Sequence, residues 1–103
     1  MILHIVDEKE FDEVIKEGKV FVDFFATWCG PCSMLAPVIE EMDQAGEFGE
    51  IKIVKVDVDE APEIAMRYGI QSIPTLLLLE NGQIINSALG FMPKPMLRKF
   101  IAK

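Results

Sequence analysis

Apolar and polar positions alternate along the chain in two different rhythms, and the switches between them mark its elements. Ile2 to Val6 reads as a short opening strand. Asp7 then offers a helix N-cap with an acid, Glu10, three residues on, ahead of the apolar positions Phe11, Val14 and Ile15. This first helix ends near Gly18. Val20 to Phe25 is rich in β-branched and aromatic residues, the composition of a strand covered on both faces. After a turn, Leu35, Val38, Ile39 and Met42 recur at helical spacing, predicting a helix to about Ala45 with Gly46 and Gly49 at its exit. Pro37 falls inside it, where the missing N–H predicts a kink after the first turn.

Ile51 to Asp57 is the third strand, and Asp59 to Tyr68, with Pro62 in its first turn and Gly69 at its close, is a third helix. This βαβαβα alternation predicts parallel strands joined by right-handed crossovers. Thr75 to Glu80 is a fourth strand, and Asn81-Gly82 is a strong hairpin turn into an antiparallel fifth, Gln83 to Leu89. Gly90 and Pro93 precede a last helix with Met96, Leu97, Phe100 and Ile101 on one apolar side. No repeat, linker or low-complexity segment interrupts this order.

Composition changes the picture little. A chain of 103 residues, half of them hydrophobic, fits one domain over 1–103 and can bury about two-thirds of its unfolded surface. Charge says more. Residues 1 to 80 hold all 17 Asp and Glu against six Lys and Arg, whereas residues 81 to 103 hold four Lys and Arg and no acid. The overall net charge of −7 disfavours nucleic-acid binding. Lys94, Arg98, Lys99 and Lys103 fit the outer face and carboxyl end of the last helix. The amino-terminal run meets Asp7 too early for a secretory signal, and no apolar stretch approaches membrane-spanning length. A reducing cytoplasm is the expected compartment, with no membrane partner.

The candidate chemistry is concentrated in Trp28-Cys29-Gly30-Pro31-Cys32, which holds both cysteines and the only tryptophan where a strand passes into a helix. Two cysteines three apart, the second entering the first helical turn, can close a small disulfide ring and open it again. Unpaired N–H groups and partial positive charge at the helix start favour a thiolate at Cys29. Other readings compete. A structural disulfide would usually close a longer loop in a secreted chain. A metal site needs about four ligands, and beyond the two cysteines the sequence supplies one distant histidine, His4. The haem pattern Cys-x-x-Cys-His fails because Ser33 follows Cys32. Reversible dithiol–disulfide exchange leads on spacing.

With Asp23, Ala26-Thr27-Trp28-Cys29-Gly30-Pro31-Cys32, Pro37, Asp57, Tyr68-Gly69-Ile70, Ile73-Pro74-Thr75, Asn81-Gly82 and Gly90 in register over nearly its full length, the chain resembles the thioredoxin family. The resemblance implies an α/β thioredoxin fold: a five-stranded mixed sheet of order 1-3-2-4-5, four flanking helices, and cysteines exposed at one end. It implies a general protein disulfide reductase in which Cys29 attacks and Cys32 resolves, the Gly30-Pro31 pair being that of reducing members. The redox-active Cys29–Cys32 disulfide would then be the only redox group, with no bound cofactor or metal. Partners would be an NADPH-dependent thioredoxin reductase and disulfide-containing proteins, and a monomer is expected. By the same resemblance, Trp28 is either a substrate platform or a packed aromatic. Gly30, Pro31, Ile73, Pro74, Gly90 and Phe91 would line a groove where an extended substrate segment pairs with backbone. The Ile73–Pro74 bond would be cis.

Asp23 shares a strand face with Phe21 and Phe25, so its carboxylate is expected among aromatic side chains with a raised pKa, ready to take the Cys32 proton. Lys55 alternates with Ile53 and can either approach Asp23 as a modulator or snorkel. Cys29 is expected on the exposed side of the turn and Cys32 to be shielded. Two positions depart from the family pattern: Ser33 stands where a lysine or arginine is common, and Phe25 where a tryptophan is frequent. A binding module with incidental cysteines, or a redox partner dedicated to one enzyme, are the rival readings.

Overall fold

Alternate residues of the central strand look into two different layers, and that division organises the molecule. The computed structural model describes every residue from Met1 to Lys103. Its sheet has the order β1-β3-β2-β4-β5, built from β1 (Ile2–His4), β2 (Lys19–Phe25), β3 (Lys52–Asp57), β4 (Thr75–Glu80) and β5 (Gln83–Leu89). The helices are α1 (Glu8–Ile15), α2 (Gly30–Gln44), α3 (Pro62–Arg67) and α4 (Lys94–Ile101). β1, β3 and β2 are parallel, while β4 runs antiparallel to β2 and β5 antiparallel to β4. The fold class, strand order and four helices are those the resemblance implies.

Val20, Val22 and Phe24 of β2 join Val54, Val56, Leu77 and Leu79 in one core, against Phe11 and Ile15 of α1 and Ile64 of α3. Phe21 points the other way, with Ile53, Leu76 and Leu78, against Leu35, Ile39 and Met42 of α2 and Leu97 and Phe100 of α4. A strand with both faces covered in this way explains why β2 reads as a continuous apolar run. Its carboxyl end delivers the chain to α2. Because β3 is parallel to β2 and β4 starts where α3 returns, the loops after β2 and β3 and the one before β4 meet at that same end.

Local chemistry explains most boundaries. Asp7 caps α1 by accepting the Glu10 N–H at 3.0 Å. Asn81 and Gly82 both take positive φ, 50° and 82°, as a two-residue hairpin turn demands. Pro37 lies inside α2 and has no N–H to give the Ser33 carbonyl. The structure corrects several expectations. β2 starts at Lys19, which pairs with Glu80 of β4, rather than at Val20. β1 stops at His4, although the Ile5 N–H still donates to the Lys55 carbonyl at 3.1 Å. β3 starts at Lys52, because the Ile51 N–H turns back to the Phe48 carbonyl. α3 starts at Pro62 rather than Asp59, because Asp57 holds residues 59–61 in a turn through its carbonyl and side chain. Met96 is 53% exposed, so the buried stripe of α4 is Leu97, Phe100 and Ile101 alone.

The basic carboxyl-terminal segment pairs with the acidic surface of the rest of the chain. Lys94 reaches Glu41 of α2 at 2.8 Å, and Arg98 reaches Glu47 just beyond it. These exposed contacts orient α4 more than they stabilise it.

Candidate active site

The site is assembled at the carboxyl end of β2, where strand geometry ends and helix geometry begins. Cys29 is the N-cap of α2 in extended conformation, φ −90° and ψ 117°, and its Sγ accepts the Cys32 N–H at 3.2 Å. Gly30 and Pro31 occupy the exposed first helical turn, where proline's missing N–H is no loss. That short link sets the two cysteine Cα atoms 5.3 Å apart, and the sulfurs are joined as a disulfide. Ala26, Cys29 and Cys32 form a small cluster of their own, with Phe25, Val58 and Ile73 packed against it. Exposure does not separate the cysteines as expected from sequence. Cys29 is 6% and Cys32 4% exposed, since the loop before β4 covers both. What distinguishes Cys29 is its place at the helix start.

The covering loop carries the Ile73–Pro74 bond, which is cis as the resemblance implies. The Ile73 carbonyl oxygen lies 3.8 Å from Cys29 Sγ. On its far side the Pro74 carbonyl accepts the Gly90 N–H at 2.8 Å, and Gly90 takes φ +90°, a conformation open to few other residues. Ile73, Pro74 and Gly90 are thus brought together beside the disulfide, with Phe91 exposed next to them. Trp28 is 72% exposed, and its indole Nε1 donates to Asp59 Oδ2 at 2.8 Å. It presents a face to solvent rather than filling a core. The sequence does not mark Asp59 as a site residue; the signal it carries is topological, since a segment following a strand parallel to β2 ends beside the turn that follows β2.

Beneath the disulfide turn, Asp23 is fully buried, and neither of its carboxylate oxygens has a hydrogen-bond partner. It stands in register between Lys55 of β3 and Leu76 of β4. Lys55 Nζ approaches Asp23 Oδ2 to 3.9 Å and lies 4.5 Å from the centre of the Phe25 ring. Burial pushes the Asp23 pKa up to about 6, and the Lys55 charge pulls it only part of the way back. Lys55 is therefore near Asp23, as one of the two sequence readings has it, without forming a close hydrogen-bonded pair. His4 lies apart from the cysteines, on a cleft with Glu40, Asp43 and Lys55, and no group of three or more His, Cys, Asp or Glu is arranged to hold a metal ion.

Comparison with known proteins agrees with this geometry. The thioredoxin family model matches residues 2–103. A thioredoxin of Bacillus subtilis is 50% identical over 97 residues, which cover 93% of this chain and 91% of the relative. One from Listeria monocytogenes is 47% identical over 104 residues, covering 100% and 98%. Among solved structures, the thioredoxin of Malassezia sympodialis superposes with a TM-score of 0.88 at 35% identity, covering 99% of this chain and 89% of that one. A strand-to-helix turn with paired cysteines, in this strand order and at these identities, makes the chain a member of the thioredoxin family, a thiol–disulfide oxidoreductase whose redox-active centre is the Cys29–Cys32 disulfide.

Proposed function

We propose that the chain, as one domain over 1–103, is a general protein disulfide reductase in which Cys29 is the attacking thiol and Cys32 the resolving one. The Cys29 thiolate attacks one sulfur of a substrate disulfide, forming a mixed disulfide and releasing the other sulfur as a thiolate. Cys32 then loses its proton and attacks the Cys29 sulfur. The second substrate sulfur leaves, and the Cys29–Cys32 disulfide closes. Two electrons have passed from the protein dithiol to the substrate.

The observation that carries this reading is the placing of Cys29 Sγ at the N-cap of α2, where it accepts the Cys32 N–H at 3.2 Å. An N–H donor and the helix start favour a thiolate at that sulfur. Asp23 is the proposed acceptor of the Cys32 proton, supported by its full burial, its unpartnered oxygens and a pKa raised to about 6. Lys55 modulates it through charge. Trp28 is the apolar platform for the substrate. Gly30, Pro31, Ile73, Pro74, Gly90 and Phe91 form the groove, in which the Ile73 backbone pairs with an extended substrate segment. An NADPH-dependent thioredoxin reductase would return the electrons, in a reducing cytoplasm, to a protein working as a monomer.

The test is reduction of a generic protein disulfide, driven by NADPH with a thioredoxin reductase or by dithiothreitol. Turnover is expected with the parent chain and absent with Cys29→Ser. Cys32→Ser should accumulate a mixed disulfide through Cys29, and accumulation in Cys29→Ser instead would reverse the two roles.

A further inference from the structure

Charge around the dithiol end is distributed in a way the exchange chemistry does not use. Four segments meet there: residues 26–34, 57–63, 70–75 and 89–93. Three of them hold no charged residue, and the fourth holds Asp57, Asp59, Glu60 and Glu63 without a single base. That acidic segment lies directly against the cysteines. Val58 packs on the cluster of Ala26, Cys29 and Cys32, its N–H donates to the Phe25 carbonyl at 2.9 Å, and Asp59 holds the Trp28 indole. Asp57 is turned inward, accepting the Asp59 N–H, which leaves Asp59, Glu60 and Glu63 facing solvent.

The cations that flank this end are engaged elsewhere. Arg67, in the last turn of α3, is held by Glu8 and Asp12 of the first helix, and Lys94, at the start of α4, is held by Glu41. Around the disulfide the exposed side chains Trp28, Met34, Leu89 and Phe91 are apolar. The docking face is thus an uncharged apolar platform with negative charge along one side. Such a face discriminates by charge, because a like-charged partner is repelled and an oppositely charged one is drawn in before contact.

Resting on the exchange reading above, we infer that the preferred partner is a protein whose reactive disulfide is flanked by lysine or arginine. Apolar residues beside that disulfide cover Trp28 and Phe91, and the basic flank meets Asp59, Glu60 and Glu63. The effect falls mainly on the rate of encounter and weakens with salt, since exposed charges are screened beyond about 8–10 Å at physiological ionic strength.

Three disulfide peptides test this, identical except that lysine, glutamine or glutamate flanks the disulfide. Their second-order rates of reduction by the reduced protein are compared at low and high salt. The lysine peptide should react about tenfold faster than the glutamate peptide at low salt, and the ratio should fall towards one near 0.5 M, about where screening shortens to a few ångströms. Glu60→Gln with Glu63→Gln should lower that ratio at least about twofold, with Asp59 kept because it holds Trp28. Glu17→Gln with Glu50→Gln removes the same charge at the opposite end, beside the starts of β2 and β3, and should lower the ratio far less. Equal rates for all three peptides would overturn the inference while leaving the exchange chemistry standing. An equal loss in both double variants would overturn it as well, assigning the preference to the overall charge of −7. If none of the peptides is reduced, the exchange reading fails first.

Discussion

The two faces of the sheet are built from the same strands, yet they are chemically unlike. Towards α1 and α3 the buried cluster is apolar throughout, from Ile5 to Leu79. Towards α2 and α4 the apolar cluster stops short of the disulfide turn, and between them stand Asp23 and Lys55. On β2 the difference comes down to a single step of alternation: Val22 and Phe24 enter the first layer and Asp23 enters the second. The first face needs only volume and transfer free energy. The second holds a carboxyl group where water cannot reach it, a placement that weakens the fold unless the group stays neutral. Both layers bury an apolar core, and only the second also places ionisable groups beside the disulfide turn.

Substitutions can separate the faces. Largest should be Cys29→Ser, on the chemical side, which removes the proposed nucleophile and should abolish disulfide reduction while leaving a folded protein by circular dichroism. On the apolar side, Phe24→Ala should destabilise by about 3–5 kcal/mol in denaturant titration and leave the chemistry of the folded fraction intact. Removing the neighbouring charge sharpens the contrast from within the chemical face. Lys55→Gln should move the Asp23 pKa higher still, read by carboxyl ¹³C NMR titration, because the pull of the Lys55 charge towards ionisation is gone while burial remains. Smallest should be Met96→Lys, on the exposed side of α4, which belongs to neither layer; stability should change by no more than about 0.5 kcal/mol.

Much of this division was legible in the sequence because alternation has a period of two. Phe21, Asp23 and Phe25 had to share a face, and a carboxylate between aromatics is a recognisable anomaly. Turn chemistry was equally readable, at Asp7 and at Asn81-Gly82, where a side chain or a positive φ leaves little choice. Other features depend on contacts between distant segments. The Asp57 turn that delays α3, the Trp28–Asp59 hydrogen bond and the near-equal burial of the cysteines all arise where separate loops meet. Met96 follows Pro93 by three residues and fits an apolar stripe on paper, but the first turn of α4 directs it outward. The pairing also shifts between Leu78 and Leu79, whose partners are Asn86 and Ile84, leaving Ile85 out of register in a way no local pattern marks.

The contrast between the two faces depends on Asp23 being held against its own ionisation. The ordinary pKa of this carboxyl group is 3.8, and burial raises it to about 6 in the fold. Its neutral form therefore favours folding fully below 3.8, and that contribution is lost as pH rises through about 6. Denaturant unfolding of the oxidised parent and of Asp23→Asn, compared from pH 3.5 to 8, roughly the range spanning both values, measures it directly. The difference should be smallest at the acid end, grow in favour of the variant between pH 3.8 and about 6, and level off at up to about 3 kcal/mol above that. A variant less stable than the parent at neutral pH, or a difference that does not change with pH, would contradict the account and make Asp23 an ordinary structural residue.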